Sequence, residues 1–274
     1  MKNLITILLL VILLPVIAIA QDFEVDGICY NIDQYDYYLS GAIVTYNLNN
    51  SYSGDVIIPS TVIYNGKTYT VNGIGKKAFY GCGGLTSVTI PSSVKSIGEY
   101  AFGACASLNT LNFNAVYCED LSYNVYNVEN TSSYYGSNIT TINIGENVQR
   151  IPAGLAYHLM KLKSITIPSS VTSIGNSAFC CCGLTSITIP SSVTSIGNST
   201  FQHCTGLVSV VMGNSVTSIG NSAFMDCDYM TNVIISDSVT SIGDCAFYGC
   251  NSLTSITIPK CITSFGKYVF SGCI

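Results

Sequence analysis

Charge is scarce in this chain. Lys and Arg number 10 and Asp and Glu 15, so charged side chains make up 9% of 274 residues and the net charge is −5. So few cations cannot assemble a basic stripe, which argues against a nucleic-acid partner. Histidine occurs twice, at His158 and His203. Both fall in end turns of the repeat described below and read as occupying different repeat positions. His203 has no evident partner except Cys204, in a column expected to be buried, so no catalytic set is predicted. Carboxylates are scattered and no Cys-x-x-Cys pair exists, which leaves no metal or cofactor motif. Long apolar runs are also missing outside residues 4–19, so a mean hydropathy of +0.44 does not signal a bilayer span in the rest of the chain. Solubility must rest on Ser, Thr and Asn instead.

Repetition is what the chain has in abundance. Residues Leu184 to Cys204 read LTSITIPSSVTSIGNSTFQHC, and near copies recur along most of the sequence. The Ile of the Ile-Gly pair stands at 74, 97, 174, 196, 219 and 242, with Ile151 before Pro152 in one copy and Phe265 in the last. Steps are 23 residues, apart from one of 22 and one of 54 between Ile97 and Ile151. An aromatic column follows at Phe79, Phe102, Phe179, Phe201, Phe224, Phe247 and Phe270, with Ala156 filling in. This period predicts a β-rich solenoid of stacked 22–23-residue coils with short parallel strands. In L-x-x-I-x-I the fourth and sixth positions share one strand face, and Pro at 91, 168, 190 and 259 ends the strand. Val-x-x-Ile-Gly returns the chain along the opposite wall, with Gly where a turn takes positive φ. Ala-Phe-x-x-Cys forms a short helical or 3-10 turn that plugs the coil's end. A single coil has too few apolar side chains to offset the ordering of its backbone, so stacking is obligatory.

The flanks differ from the repeat. Residues 1–20, with Lys2, an apolar stretch and Ala18-Ile19-Ala20, read as a signal peptide cut before Gln21. Residues 21–73 read as an N-terminal β cap shielding the first coil, with hairpin turns at Asp26-Gly27 and Asn65-Gly66. The solenoid is assigned to 74–274. Within it, 114–141 is either a degenerate coil with a bulge or a projecting loop, because the 54-residue step equals two periods plus eight residues. This segment carries Tyr117, Tyr123, Tyr126, Tyr134 and Tyr135 among Asn and Ser, the residue types binding loops use. The chain reaches Gly272-Cys273-Ile274 directly after a cysteine column, with nothing resembling a polar end coil. The last coil is then an exposed stacking edge, or the reading frame is incomplete.

Thirteen cysteines in an exported chain would ordinarily suggest a disulfide framework. Seven of them, Cys82, Cys105, Cys182, Cys204, Cys227, Cys250 and Cys273, share one repeat column, and Leu159 occupies the same slot. A slot that accepts leucine reads as a buried column of packed, reduced thiols. Parallel, in-register Cβ vectors are also poorly aimed for a disulfide.

With these strings in view, the sequence resembles the leucine-rich repeat superfamily and, more narrowly, the BspA-like (Treponema-type) repeats of bacterial surface proteins. The similarity spans roughly Gly73 to Ile274. Where the common repeat expects Asn, Ser192 stands, and Val193 arrives one position early, so no asparagine ladder is expected. The resemblance implies a secreted or surface-attached protein of a Bacteroidales-like bacterium, in a group where some members are adhesins. No sorting domain or lipid signal is recognisable.

Strand positions two, three and five should face solvent and line up as columns. Most are Thr, Ser or Asn, as at Thr185, Ser186 and Thr188. Val208, Val211 and Ile234 break this rule, with Val211 and Ile234 expected as neighbours in one apolar patch. The expected function is a non-enzymatic binding scaffold that meets a protein or glycan through this face or the tyrosine-rich segment. The alternative is a structural surface element, or spacer, that self-stacks through its C-terminal coil.

Overall fold

The computed structural model describes residues 21–33, 41–47, 51–127 and 137–273. The leader, Tyr134 and Tyr135 lie outside these residues. The described residues contain strands and turns and no helix.

Most coils lay down a strand on one wall and a two-residue strand on the other; none forms on the first wall over 162–168 or 251–259. The first wall carries Leu85–Ile90, Thr110–Phe113 and Thr141–Ile144 in one sheet, and Ser186–Ile189, Ser209–Met212 and Asn232–Ile234 in another. All these neighbours pair in parallel. The opposite wall is a parallel ladder of Arg150–Ile151, Ser173–Ile174, Ser195–Ile196, Ser218–Ile219, Ser241–Ile242 and Ser264–Phe265. Strand period sets the burial: along Ser186–Ile189, Ile187 and Ile189 are buried while Ser186 and Thr188 face solvent. The strand ends before Pro190, whose carbonyl then accepts the Val193 N–H at 3.1 Å and turns the chain inward.

Both expected hairpins form. Val25 pairs with Ile28 and Tyr64 with Lys67, antiparallel, and Asp26, Gly27, Asn65 and Gly66 all have positive φ. Phe23 joins the hairpins by stacking 4.5 Å from Tyr64 and 5.3 Å from Tyr30. The parallel ladders also run back before residue 74. Val44 sits beside Ile74, which sits beside Ile97. Strand Gly54–Ile57 pairs parallel with Leu85–Ile90, and the Tyr52 ring lies 4.8 Å from Phe79.

Residues 114–127 form a degenerate coil. The Tyr100 and Phe102 N–H groups donate to the Asn124 and Val125 carbonyls, and the Leu121 N–H donates to the Ala153 carbonyl. Tyr126 fills the aromatic column by stacking on Phe102, and Asp120 Oδ1 accepts the Ala153 N–H of the next coil at 2.8 Å, so one extra coil lies within the 54-residue interval.

The end turns differ from the helical or 3-10 form expected. Bonds of the right span are present, as from Ala78 N–H to the Gly75 carbonyl and from Cys82 N–H to the Phe79 carbonyl. Between them stands a left-handed residue, Lys77 at φ 59° and Gly81 at φ 74°, so right-handed geometry never propagates.

The glycine of the Ile-Gly pair also has a different role from the one expected. It is not among the positive-φ residues. A Cβ on Gly98 would lie 2.4 Å from Lys76 N, and one on Gly220 2.6 Å from Gly197 C, so these glycines let coils approach closely. Positive φ falls instead two residues later, on side chains such as Ser177, Ser199, Ser222 and Cys245.

Candidate binding face and side-chain columns

Stacking in register turns each repeat position into a column, and each column meets its own physical demand. The phenylalanines form a core stack, with Phe179, Phe201, Phe224 and Phe247 at 5.2–5.4 Å between ring centroids and 7–11° between planes. The cysteines pack beside them. Cys182, Cys204, Cys227 and Cys250 are buried, and each thiol donates to a carbonyl of the preceding coil: Ala156, Phe179, Phe201 and Phe224, at 2.9–3.2 Å. Cys105 does the same to Phe79 and the part-buried Cys273 to Phe247, while Cys82 is buried next to Tyr52. Burial raises the pKa of the column thiols, and Cys105, Cys204 and Cys250 are pushed up to about 12.

An amide ladder is present where none was expected, one residue after the glycine. The Asn198 N–H donates to Asn176 Oδ1, Asn221 N–H to Asn198 Oδ1 and Asp244 N–H to Asn221 Oδ1, each at 2.8 Å. Lys267 N–H continues to Asp244 Oδ1 at 2.7 Å. These N–H groups follow the two-residue strand and have no strand carbonyl to meet, so a short side chain with a terminal oxygen serves.

On the long-strand face, Val211 lies directly beside Ile234, and Val208 immediately precedes the same strand as Val211. All three are exposed, at 44% for Val208, 43% for Val211 and 55% for Ile234, while neighbouring columns carry Ser, Thr and Asn. Beside Ile234 the face opens into a cleft of about 520 Å³ lined by Met212, Ile235 and Ile256 with polar Asn214, Asn232 and Asp237. No strand forms over 254–257 in the next coil, so the sheet edge at Asn232–Ile234 borders this cleft. The cleft was not legible in sequence, because Thr254-Ser255-Ile256-Thr257 repeats the strand string of other coils.

The tyrosines separate. Tyr117 and Tyr123 are exposed, and Tyr123 packs 4.6 Å from the Tyr157 ring. Tyr126 is a core residue: it is 4% exposed, stacks 6.1 Å from Phe102 and donates its hydroxyl to the Leu155 carbonyl at 2.6 Å. It cannot present a binding surface without unfolding its coil.

The two histidines share one repeat position, seven residues after the isoleucine column, and not the different positions read from sequence. Nor does the adjacent His203–Cys204 pair assemble a nucleophile. Cys204 is fully buried and its thiol donates to the Phe179 carbonyl. His203 meets Asp226 instead, Nδ1 to Oδ2 at 3.4 Å. Among the described residues no group of three or more His, Cys, Asp and Glu side chains is placed to hold a metal ion, and no helix is long and apolar enough to cross a membrane.

Coils stacked through parallel ladders, with a solvent-facing sheet and an aromatic spine, define a leucine-rich repeat solenoid. The family model described as BspA type leucine rich repeat region matches residues 48–132, 72–208, 129–235 and 194–274. The chain belongs to that family. Among solved structures it is similar to a leucine-rich cell surface protein of Faecalibacterium prausnitzii A2-165, at 24% identity over 92% of this chain and 86% of that one, with a TM-score of 0.42. It is similar also to the T. pallidum leucine-rich repeat protein TpLRR, at 28% identity over 92% and 88%, with a TM-score of 0.44. The pneumococcal vaccine antigen PcpA matches at 16% identity over 92% and 79%, with a TM-score of 0.44. No curated protein matches the chain.

Proposed function

We propose that this chain is a secreted or surface-displayed scaffold that binds a protein partner through its long-strand face, centred on Val208, Val211 and Ile234. The observation that carries this reading is the apolar strip itself, three exposed β-branched side chains in neighbouring coils flanked by Ser186, Thr188, Ser209 and Asn232, opening into a cleft. Aliphatic side chains without a flat aromatic platform suit an apolar protein segment better than a sugar ring. The unpaired edge at Asn232–Ile234 supports an extended segment, which could add main-chain hydrogen bonds to side-chain contacts. The leader-like string of residues 1–20 supports export. A non-enzymatic role is in keeping with the fully buried Cys204 beside His203.

A second reading has its own observation. The last coil exposes Phe265 at 50% and Tyr268 at 70%, which favours stacking of this end on another copy. Val269 is buried at 3%, so a charge there would break the coil and not test the contact.

One experiment separates these readings. Purified residues 21–274 are assayed against a panel of immobilised extracellular proteins and glycans, as wild type, Val211→Asp/Ile234→Asp and Tyr117→Ser/Tyr123→Ser. Binding of a protein that falls at least about tenfold in the face variant alone, a loss of about 1.4 kcal/mol, is the expected result. Binding that survives the face variant and fails in the tyrosine variant would overturn the assignment of the face. Light scattering over a wide concentration range reads the second: assembly abolished by Phe265→Glu/Tyr268→Glu supports stacking, and a concentration-independent monomer rejects it.

A further inference from the structure

The column that precedes the cysteines holds a left-handed residue in nearly every coil. Gly81, Gly249 and Gly272 fill it where the backbone takes this conformation at little cost. In four consecutive coils it is filled instead by His158, Cys181, His203 and Asp226, at φ 61°, 57°, 57° and 56°. Ala104 takes the same conformation in this column, and Ser177, Ser199 and Ser222 do so four residues earlier, so what sets these four coils apart is the chemistry they bring together: two imidazoles, a thiol and a carboxylate. Coil-to-coil hydrogen bonds fix the order: His158 N–H donates to the Cys180 carbonyl, Cys181 N–H to Gln202, His203 N–H to Met225 and Asp226 N–H to Tyr248, at 2.8–2.9 Å. Both histidines of the chain therefore flank Cys181, one from the coil before and one from the coil after.

The immediate surroundings of Cys181 are those of a nucleophilic thiol. Its Sγ lies 3.6 Å from Cys180 Sγ, and the His158 side chain stands beside it. Asp226 orients His203 from the far side, and the remaining titratable neighbours are the buried thiols of Cys182 and Cys204. The Cys180 thiol, foremost, and then the two histidines hold the Cys181 pKa well below the ordinary thiol range, while that of Cys180 is raised. Cys181 is partly exposed, whereas Cys180 is buried at 5%. The column cysteines are different in kind: buried and donating to carbonyls.

We propose that Cys181, flanked by His158 and His203 and backed by Cys180, is a covalent modification site that exchanges with low-molecular-weight disulfides. The Cys181 sulfur attacks one sulfur of the small disulfide, a new S–S bond forms, the old one breaks, and the departing thiolate takes a proton from solvent. No net oxidant beyond the small disulfide is required. Depression of the folded pKa means that the reactive form persists as pH falls below the range of an ordinary thiol, and is lost only when pH drops through the folded value.

The test uses folded wild-type protein incubated with oxidised glutathione at pH 6, quenched by acid and mapped by peptide mass spectrometry. One mixed disulfide on Cys181 is expected, formed at least tenfold faster than on Cys245 or Cys261, the other partly exposed thiols outside the column. His158→Gln/His203→Gln should slow it about tenfold while leaving the unfolding transition in place. Cys181 that stays unmodified until denaturant is added, or that reacts no faster than Cys245 and Cys261, overturns the proposal. The wild-type comparison stands even if a variant fails to fold.

Discussion

At the scale of single residues, glycine and serine exchange their usual roles. Gly220 avoids positive φ yet tolerates no side chain, because a Cβ would meet Gly197 C at 2.6 Å. Ser222, two positions on, carries a side chain at φ 53°. Gly220→Ala should therefore cost about 2–3 kcal/mol through overpacking against an immovable backbone. Ser222→Gly should be neutral or stabilise by about 0.5 kcal/mol, since relief of left-handed strain is partly offset by a freer unfolded chain. Urea unfolding midpoints of the two variants check both signs, and a mild effect of Gly220→Ala would show that the coils can separate locally. Sequence alone located the glycine but could not assign its role. A recurring Ile-Gly string looks the same whether glycine supplies φ or proximity, and only the neighbouring coil's backbone distinguishes them.

At the scale of the element, each two-residue strand is too short to satisfy the turn that follows it, and the Asn176–Asn198–Asn221–Asp244 ladder completes the pairing. Asn198→Ala should cost about 1 kcal/mol by leaving the Asn221 N–H to water, while Asn198→Asp keeps the acceptor. Native-state hydrogen exchange should show the Asn221 amide exchanging faster in Asn198→Ala only; equal protection in both variants would mean that the ladder is decorative. Strand alternation, the proline stops and both hairpins were legible because each is a local pattern with one structural solution. The ladder was not, since it stands away from Ser192, the position where other leucine-rich repeats place asparagine. The degenerate coil was half legible: the long interval marked it, while a coil and a projecting loop fit the sequence equally. The place of Tyr126 in the aromatic column emerged only from its stacking on Phe102 and its hydroxyl bond to Leu155. The same limit hid the Cys181 cluster. His203 sits next to Cys204 in sequence, but the stack hands it to a neighbour 22 residues earlier, and only subtraction along the correct column brings His158, Cys181 and His203 together.

At the scale of the whole molecule, most hydrogen bonds outside the end turns connect positions 22 to 24 residues apart, one coil to the next. Among the described residues the solenoid's strands contact those of neighbouring coils, so stability is a sum of neighbour terms and the solenoid has no single centre. This geometry sets how the molecule would respond to tension. A chain drawn apart from its two ends cannot yield everywhere at once; the coil at an exposed edge peels first and passes the load to the next. Each release would lengthen the molecule by roughly 70 Å, the extended reach of one 23-residue coil less the thickness it occupied in the stack. Optical-tweezer traces should show a regular staircase of that step, and one cooperative rip would contradict it. Held by one end in a moving fluid, such a protein would act as a shock absorber, giving up length in measured amounts while the coils still stacked keep their shape.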